Sequence, residues 1–135
     1  MASLRELTSL RKLSLETNPI TDAGLKSIAG LTNLEDLNLF YTDIGDAGLV
    51  HLKGLVKLRR LSLWQTKTTD AGLVHLTGLK NLESLDLSST AVTDSGLVHL
   101  APLKQLRELN LESTQVTDAG AERLQKALPE LKIHR

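Results

Sequence analysis

Apolar residues fall along this chain in a pattern that returns every 24 residues. The pair Leu13/Leu15 recurs as Leu37/Leu39, Leu61/Leu63, Leu85/Leu87 and Leu109/Leu111. Around each pair, as in Lys12 to Glu16, polar and apolar side chains alternate, the period of a strand with one buried face. Strands are therefore predicted near 12–16, 36–40, 60–64, 84–88 and 108–112, all parallel, with the leucines inward. Three residues past each second leucine stands Asn18, Thr42, Thr66, Thr90 or Thr114. A short hydroxyl or amide there can bond loop backbone that has no ladder partner. Ile20, Ile44, Val92 and Val116 follow as core positions. Thr68 interrupts that column, so the third repeat is expected to be looser.

A helical signal closes each unit. Thr21-Asp22, Thr69-Asp70, Thr93-Asp94 and Thr117-Asp118 supply preferred N-cap residues, and Gly45-Asp46 keeps the acid. Leu25/Ile28, Leu49/Leu52, Leu73/Leu76 and Leu97/Leu100 share one helix face. Gly30, Gly54, Gly78 and Pro102 are read as helix stops. A second glycine column, Gly24, Gly48, Gly72, Gly96 and Gly120, lies in the first turn and is read as room for the neighbouring repeat. The last unit departs from the lattice. Ala121 replaces the column leucine and an extra residue precedes Leu128, so a longer helix is predicted, with Leu131 and Ile133 folding back over the core. At the other end Leu4, Leu7 and Leu10 align with Ile28, Leu31 and Leu34. That end is expected to be an excised edge of a longer array, or one covered by another chain.

The repeated form TxTDAGLxxLxxLxxLxxLxLxxT, with ALPELKI at 127–133, is similar to the cysteine-containing subclass of leucine-rich repeats found in F-box proteins and many bacterial repeat proteins. The resemblance covers residues 4–133. The usual cysteine is Asn or Thr here and no F-box segment is present, so no ubiquitin-ligase role follows. What the resemblance implies is an α/β fold: a right-handed, horseshoe-shaped solenoid with a five-stranded parallel sheet on the concave side and short helices on the convex side. One domain, 1–135, would comprise a truncated repeat at 1–8, repeats over 9–120 and a cap at 121–135. Protein recognition is the function it implies.

Composition narrows the chemistry. Sixteen basic and sixteen acidic side chains cancel, which leaves no global field for nucleic acid or a membrane surface. The chain has no cysteine, hence no disulfide framework or thiolate metal site. No stretch approaches a membrane span, and no cofactor is expected. Thirty-one leucines build the core, which frees the one Phe, one Tyr and one Trp for another task. Phe40 and Trp64 share a strand column one repeat apart, about 4.8 Å between neighbouring strands. Tyr41 follows at the strand exit, Arg60 stands beside the rings, and Asp36 lies in the outermost column. Asp86, with Glu108 and Glu112, turns the C-terminal half of the face acidic.

Phe40, Tyr41, Trp64, Arg60, Asp36 and Asp86 are thus the candidate ligand-binding residues, for a protein or peptide on the concave sheet. Two other readings compete. One is a structural or designed scaffold that self-associates through its N-terminal end. The other is a sugar-stacking surface made by Trp64 and Tyr41. The row Arg11, Glu35, Arg59, Glu83, Arg107 alternates in sign and is read as cross-strand support. His51, His75 and His99 align on successive helices. Packed helices lie about 8–10 Å apart, too far for nitrogens that must approach one zinc at about 2.0–2.1 Å. The Asp22 column is read as helix capping alone. With no nucleophile and base grouped together, an enzyme is not expected.

Overall fold

The strand signal and the leucine columns both find their places in the computed structural model, which describes residues 2–135. The sheet is parallel throughout and its strand order follows the chain: β1 Lys12–Ser14, β2 Asp36–Asn38, β3 Arg60–Ser62, β4 Ser84–Asp86, β5 Glu108–Asn110 and β6 Lys132–His134. It has six strands, not the five expected. The segment after Pro129 does more than cover the core, because Ile133 takes the leucine position opposite Leu109 and Lys132 aligns with Glu108. Backbone pairing also outruns the three-residue strands. The N–H groups of Leu15, Thr17 and Tyr41 donate to the carbonyls of Asn38, Phe40 and Trp64 at 2.9–3.0 Å.

Helices α1 Asp22–Leu25, α2 Asp46–Leu49, α3 Asp70–Leu73 and α4 Asp94–Leu97 are single α turns. Each continues directly into a 3-10 turn, at Lys26–Ile28, Val50–Leu52, Val74–Leu76 and Val98–Leu100. Such short helices have no stability of their own. They stand because Leu25, Ile28 and their equivalents are buried completely against the strand leucines in one continuous core. Burying one leucine contributes about 1.5–3 kcal/mol, which is enough to impose a tight turn on an indifferent sequence. Helix α5, Asp118–Ala127, runs longer, as the extra residue predicts. Gln125 then ties the ending together, its amide donating to the carbonyls of Leu128, Pro129 and Leu131 at 2.7–3.2 Å.

Polar residues of the repeat act between units more than within them. The hydroxyls of Thr42, Thr66, Thr90 and Thr114 donate to the carbonyls of Leu39, Leu63, Leu87 and Leu111 at 2.6–2.8 Å, the loop role expected of that column. Thr68 is wholly buried, and its hydroxyl pairs with that of Thr66 at 2.9 Å. The anticipated weak point is therefore satisfied.

The aspartate column corrects its sequence reading. Thr21, Gly45, Thr69, Thr93 and Thr117 are the N-caps, and the aspartates of the first four helices reach instead into the following repeat. Asp22 accepts from the N–H of Gly45 at 2.7 Å. Asp46, Asp70 and Asp94 accept from the N–H groups of Thr69, Thr93 and Thr117, each at 2.8 Å, and from their hydroxyls as well. This explains the glycine column. A Cβ at Gly48 would lie 2.5 Å from Oδ1 of Asp22, and Gly72, Gly96 and Gly120 meet the preceding aspartates even more closely.

The 3-10 turns close at Ile28, Leu52, Leu76 and Leu100, two residues before the stops Gly30, Gly54, Gly78 and Pro102. No glycine among the described residues has a positive φ. The left-handed positions lie at the strand exits, at Thr17, Tyr41, Gln65, Ser89 and Ser113, with φ of 53–58°. That conformation costs about 1–2 kcal/mol per non-glycine residue. Interstrand bonds on Thr17, Tyr41, Gln65 and Ser89 offset it, such as Gln65 N–H to the Ser88 carbonyl at 2.9 Å.

Candidate recognition surface

Three columns of side chains stand on the sheet face turned away from the helices. One is Lys12, Asp36, Arg60, Ser84, Glu108 and Lys132. The middle one is Ser14, Asn38, Ser62, Asp86, Asn110 and His134. The third, one pleat beyond the strand ends, is Glu16, Phe40, Trp64, Ser88 and Glu112. Parallel register with no bulge puts each column in a row across the strands.

The aromatic pair forms as the columns require. Phe40 and Trp64 stack with centroids 4.2 Å apart and 20° between planes, a separation within the range of favourable offset stacking. Trp64 remains 41% exposed, so the stack does not bury it. Below the rings the backbone is fixed from the face itself, because Asn38 Oδ1 accepts the Phe40 N–H at 3.0 Å. The Asn38 amide in turn donates to Glu16 at 2.6 Å.

The other candidates do not all join this patch. Arg60 precedes Trp64 by four residues on the same strand, about 13 Å along it, and its guanidinium lies 3.8 Å from Asp36. Asp36 also faces Lys12 at 3.8 Å, so it sits between two cations. Arg60, Asp36 and Asp86 line a shallow polar groove of about 500 Å³ with Ser14, Asn38 and Ser62. Tyr41, 56% exposed, sits at a left-handed turn, its ring 6.0 Å from Phe40. It lines a different groove, with Thr17, Asp43, Gln65 and Lys67. The predicted single patch is thus a central aromatic stack with a polar groove on one side and a tyrosine-edged loop groove on the other.

Two residues near the rings lie outside the six sequence candidates, although the sequence already counts Glu112 in the acidic half of the face. Glu16 and Glu112 end the aromatic row, and the signal was simply their column. Among the described residues Glu112, which is exposed, makes no ion pair, and Asp86 accepts only from the N–H and hydroxyl of Ser88, at 2.9 and 2.5 Å. The middle and third columns therefore carry three carboxylates, at Glu16, Asp86 and Glu112, and no lysine or arginine.

The neighbouring row of alternating charges pairs as its signs predict. Arg11 meets Glu35 at 3.0 Å, and Arg59 bonds Glu83. That bond, with the attraction of nearby arginines, holds the Glu83 carboxyl below its usual value. These groups are solvated, and such pairs contribute at most about 1 kcal/mol each.

On the helix side His51, His75 and His99 are half-buried. Nδ1 of His75 is buried without a partner, and desolvation, helped by Lys53, lowers its pKa. Among the described residues no cluster of His, Asp or Glu converges to hold a metal. Nor is any described helix long and apolar enough to cross a membrane.

Known proteins share this architecture. A leucine-rich-repeat family model matches residues 56–116, and a second leucine-rich-repeat model matches 6–29 and 30–53. An internalin from Listeria monocytogenes superposes with a TM-score of 0.84 at 25% identity, over 99% of this chain and 37% of that one. Internalin C2 from the same organism gives 0.79 at 29% identity, over 98% of this chain and 55% of its own. A leucine-rich-repeat protein of Leptospira interrogans gives 0.62 at 23% identity, over 99% and 39%. The chain thus spans about a third to a half of the length of these structures. No curated protein matches the sequence.

Proposed function

We propose that this chain, which belongs to the leucine-rich-repeat family, is a non-enzymatic recognition module that binds a protein or peptide on its open sheet face. Leucine-rich repeats are typically protein-interaction modules, and the reading rests on one observation: the stacked, solvent-facing pair Phe40 and Trp64. The fold does not call for rings there, because Glu16, Ser88 and Glu112 fill the same column. Exposed aromatic side chains on a rigid frame are favoured interface anchors. The ladder holds these two in place beforehand, so little ordering entropy opposes binding. Asp36, Arg60 and Asp86 border the anchor through the polar groove, and Tyr41 borders it from the loop side.

Self-association by edge-to-edge stacking fits less well. Placing β6 of one copy beside β1 of another, in the register of the sheet, sets Lys132 against Lys12, and like charges directly opposite destabilise a pair.

The test is affinity for an isolated partner. Trp64→Ala should weaken binding by about 2 kcal/mol or more, as expected of a hot-spot residue, with folding almost unchanged. Exposed Val74 and half-buried His75 lie on the helix side, and changing either to Ala should leave binding intact. Affinity that survives Phe40→Ala and Trp64→Ala but falls with the helix-side changes would move the working surface to the other face.

A further inference from the structure

The charge around the aromatic stack specifies what kind of segment that face takes. We infer that the ligand is a linear peptide segment with an apolar side chain flanked on both sides by lysine or arginine. This inference rests on the reading above and deepens it. The row holding the rings runs Glu16, Phe40, Trp64, Ser88, Glu112 across five successive strands, so a carboxylate stands beyond the stack on each side. Asp86 adds a third carboxylate from the middle column. None of the three is paired with a cation among the described residues, and no lysine or arginine stands in either column to compete for them.

The contrast with the remaining column is informative. There Asp36 lies between Lys12 and Arg60, so its charge is already answered from within the sheet. An acidic ligand would gain nothing near the rings and would meet repulsion from three sides. A neutral one would leave the carboxylates where they are, without a cation to answer their charge. A cationic one converts them into partners, and the charge also speeds its encounter with the face. Spacing follows from the sheet. Glu16 and Glu112 are four strand intervals apart, roughly 19 Å, or about six residues of extended chain. Cations about six residues apart, with the apolar side chain between them, match that span for a segment lying across the strands.

Trp64 is the single tryptophan of the chain and reports directly on this site. The experiment selects displayed random dodecapeptides on the wild-type protein, with counter-selection on Trp64→Ala. Winning peptides are then titrated while Trp64 emission is followed. Expected are sequences enriched in Lys or Arg on both sides of an apolar residue. Their dissociation constants should rise about fivefold or more in the double variant Asp86→Asn/Glu112→Gln, and again between low and 0.3 M salt, where exposed charges are screened within about 5–6 Å. Circular dichroism would verify that the double variant is folded. Peptides that bind and shift Trp64 emission, yet carry neutral or acidic flanks or ignore the double substitution, would overturn this inference and leave the aromatic surface standing. A selection that returns nothing dependent on Trp64 would overturn both.

Discussion

The two ends of the array are built from the same repeat, yet only one of them reproduces what a neighbouring repeat supplies. At the C-terminal end Ile133 continues the sheet, Leu128 and Leu131 are buried, and Arg135 bonds Asp118 and donates to the Val116 carbonyl at 2.8 Å. Several contacts that a following unit would make have a stand-in there. At the N-terminal end Leu13 and Leu15 are half-buried where Leu61 and Leu63 are at most 2% exposed, and Leu7 is 48% exposed. Among the described residues the hydroxyl of Thr21 bonds no carboxylate, and Gly24 meets only Ile20. The comparison teaches that a repeat of this sequence is worth what its neighbours make of it, as expected where each unit contacts only the next.

The sharpest way to break that comparison is a matched pair of leucine truncations. Leu85→Ala, in the middle, should cost about 2–5 kcal/mol. Leu13→Ala, in the equivalent column of the first repeat, should cost less, since part of its surface is already solvated. Urea denaturation of both variants decides it. Equal losses would mean that the two positions are equally covered in solution.

A smaller contrast is expected between glycines. Gly96→Ala forces a Cβ against the Asp70 carboxylate and, at 3.0 Å, against Leu73. The alanine's helix propensity favours the change by about 1 kcal/mol, yet loss of the two bonds from Thr93 to Asp70 should outweigh that, for a net cost of about 1–3 kcal/mol. Gly24→Ala faces only a movable Ile20 Cγ1 at 3.1 Å and should be close to neutral. Thermal melts of the pair would show it, and equal effects would remove the aspartate from the explanation.

The smallest effect lies in the acid limb. Asp94 is held below its ordinary value of 3.8, first by the Thr117 hydroxyl and then by the Thr117 N–H. A carboxyl depressed in the folded state contributes stability that is complete above its unfolded pKa. That contribution is lost as pH falls through the folded value, so the window opens near 4 and extends downward. Thr117→Val should flatten stability against pH in that window, whereas Thr21→Val should leave it unchanged. Urea midpoints between pH 5 and 2.5 would test the difference. Identical slopes in the two variants would mean that the hydroxyl does not set the acid response.

How much of this was legible in the sequence depends on whether the signal lay within one repeat or between two. The strands, the leucine core, the threonine turns and the adjacency of Phe40 and Trp64 all follow from a column and a period. The sixth strand did not, since Lys132–His134 carries only one residue of the leucine pattern. The aspartates were read as caps because Thr-Asp before a helix is a complete local explanation. Their reach of 23 residues to the next threonine appears only once the repeats are stacked. The left-handed column was hidden for a chemical reason. Thr17, Tyr41, Gln65, Ser89 and Ser113 include no glycine or asparagine, the residues that usually announce that conformation. At the candidate site the rings were found but the geometry around them was compressed, because a strand column says nothing of the 13 Å or so that separates Arg60 from Trp64.

The aspartate link also bears on how quickly such a chain can find its fold. Asp46 to Thr69, Asp70 to Thr93 and Asp94 to Thr117 all bridge the same 23 residues. Strand pairing adds intervals of 24, as from Lys12 to Asp36. Closing a loop costs entropy that grows only with the logarithm of its length, and here the loop to be closed never lengthens as the array does. Each docked unit presents the next with an identical short search, so folding should advance along the chain at a steady rate per repeat, and a longer array would take more steps without meeting a harder one.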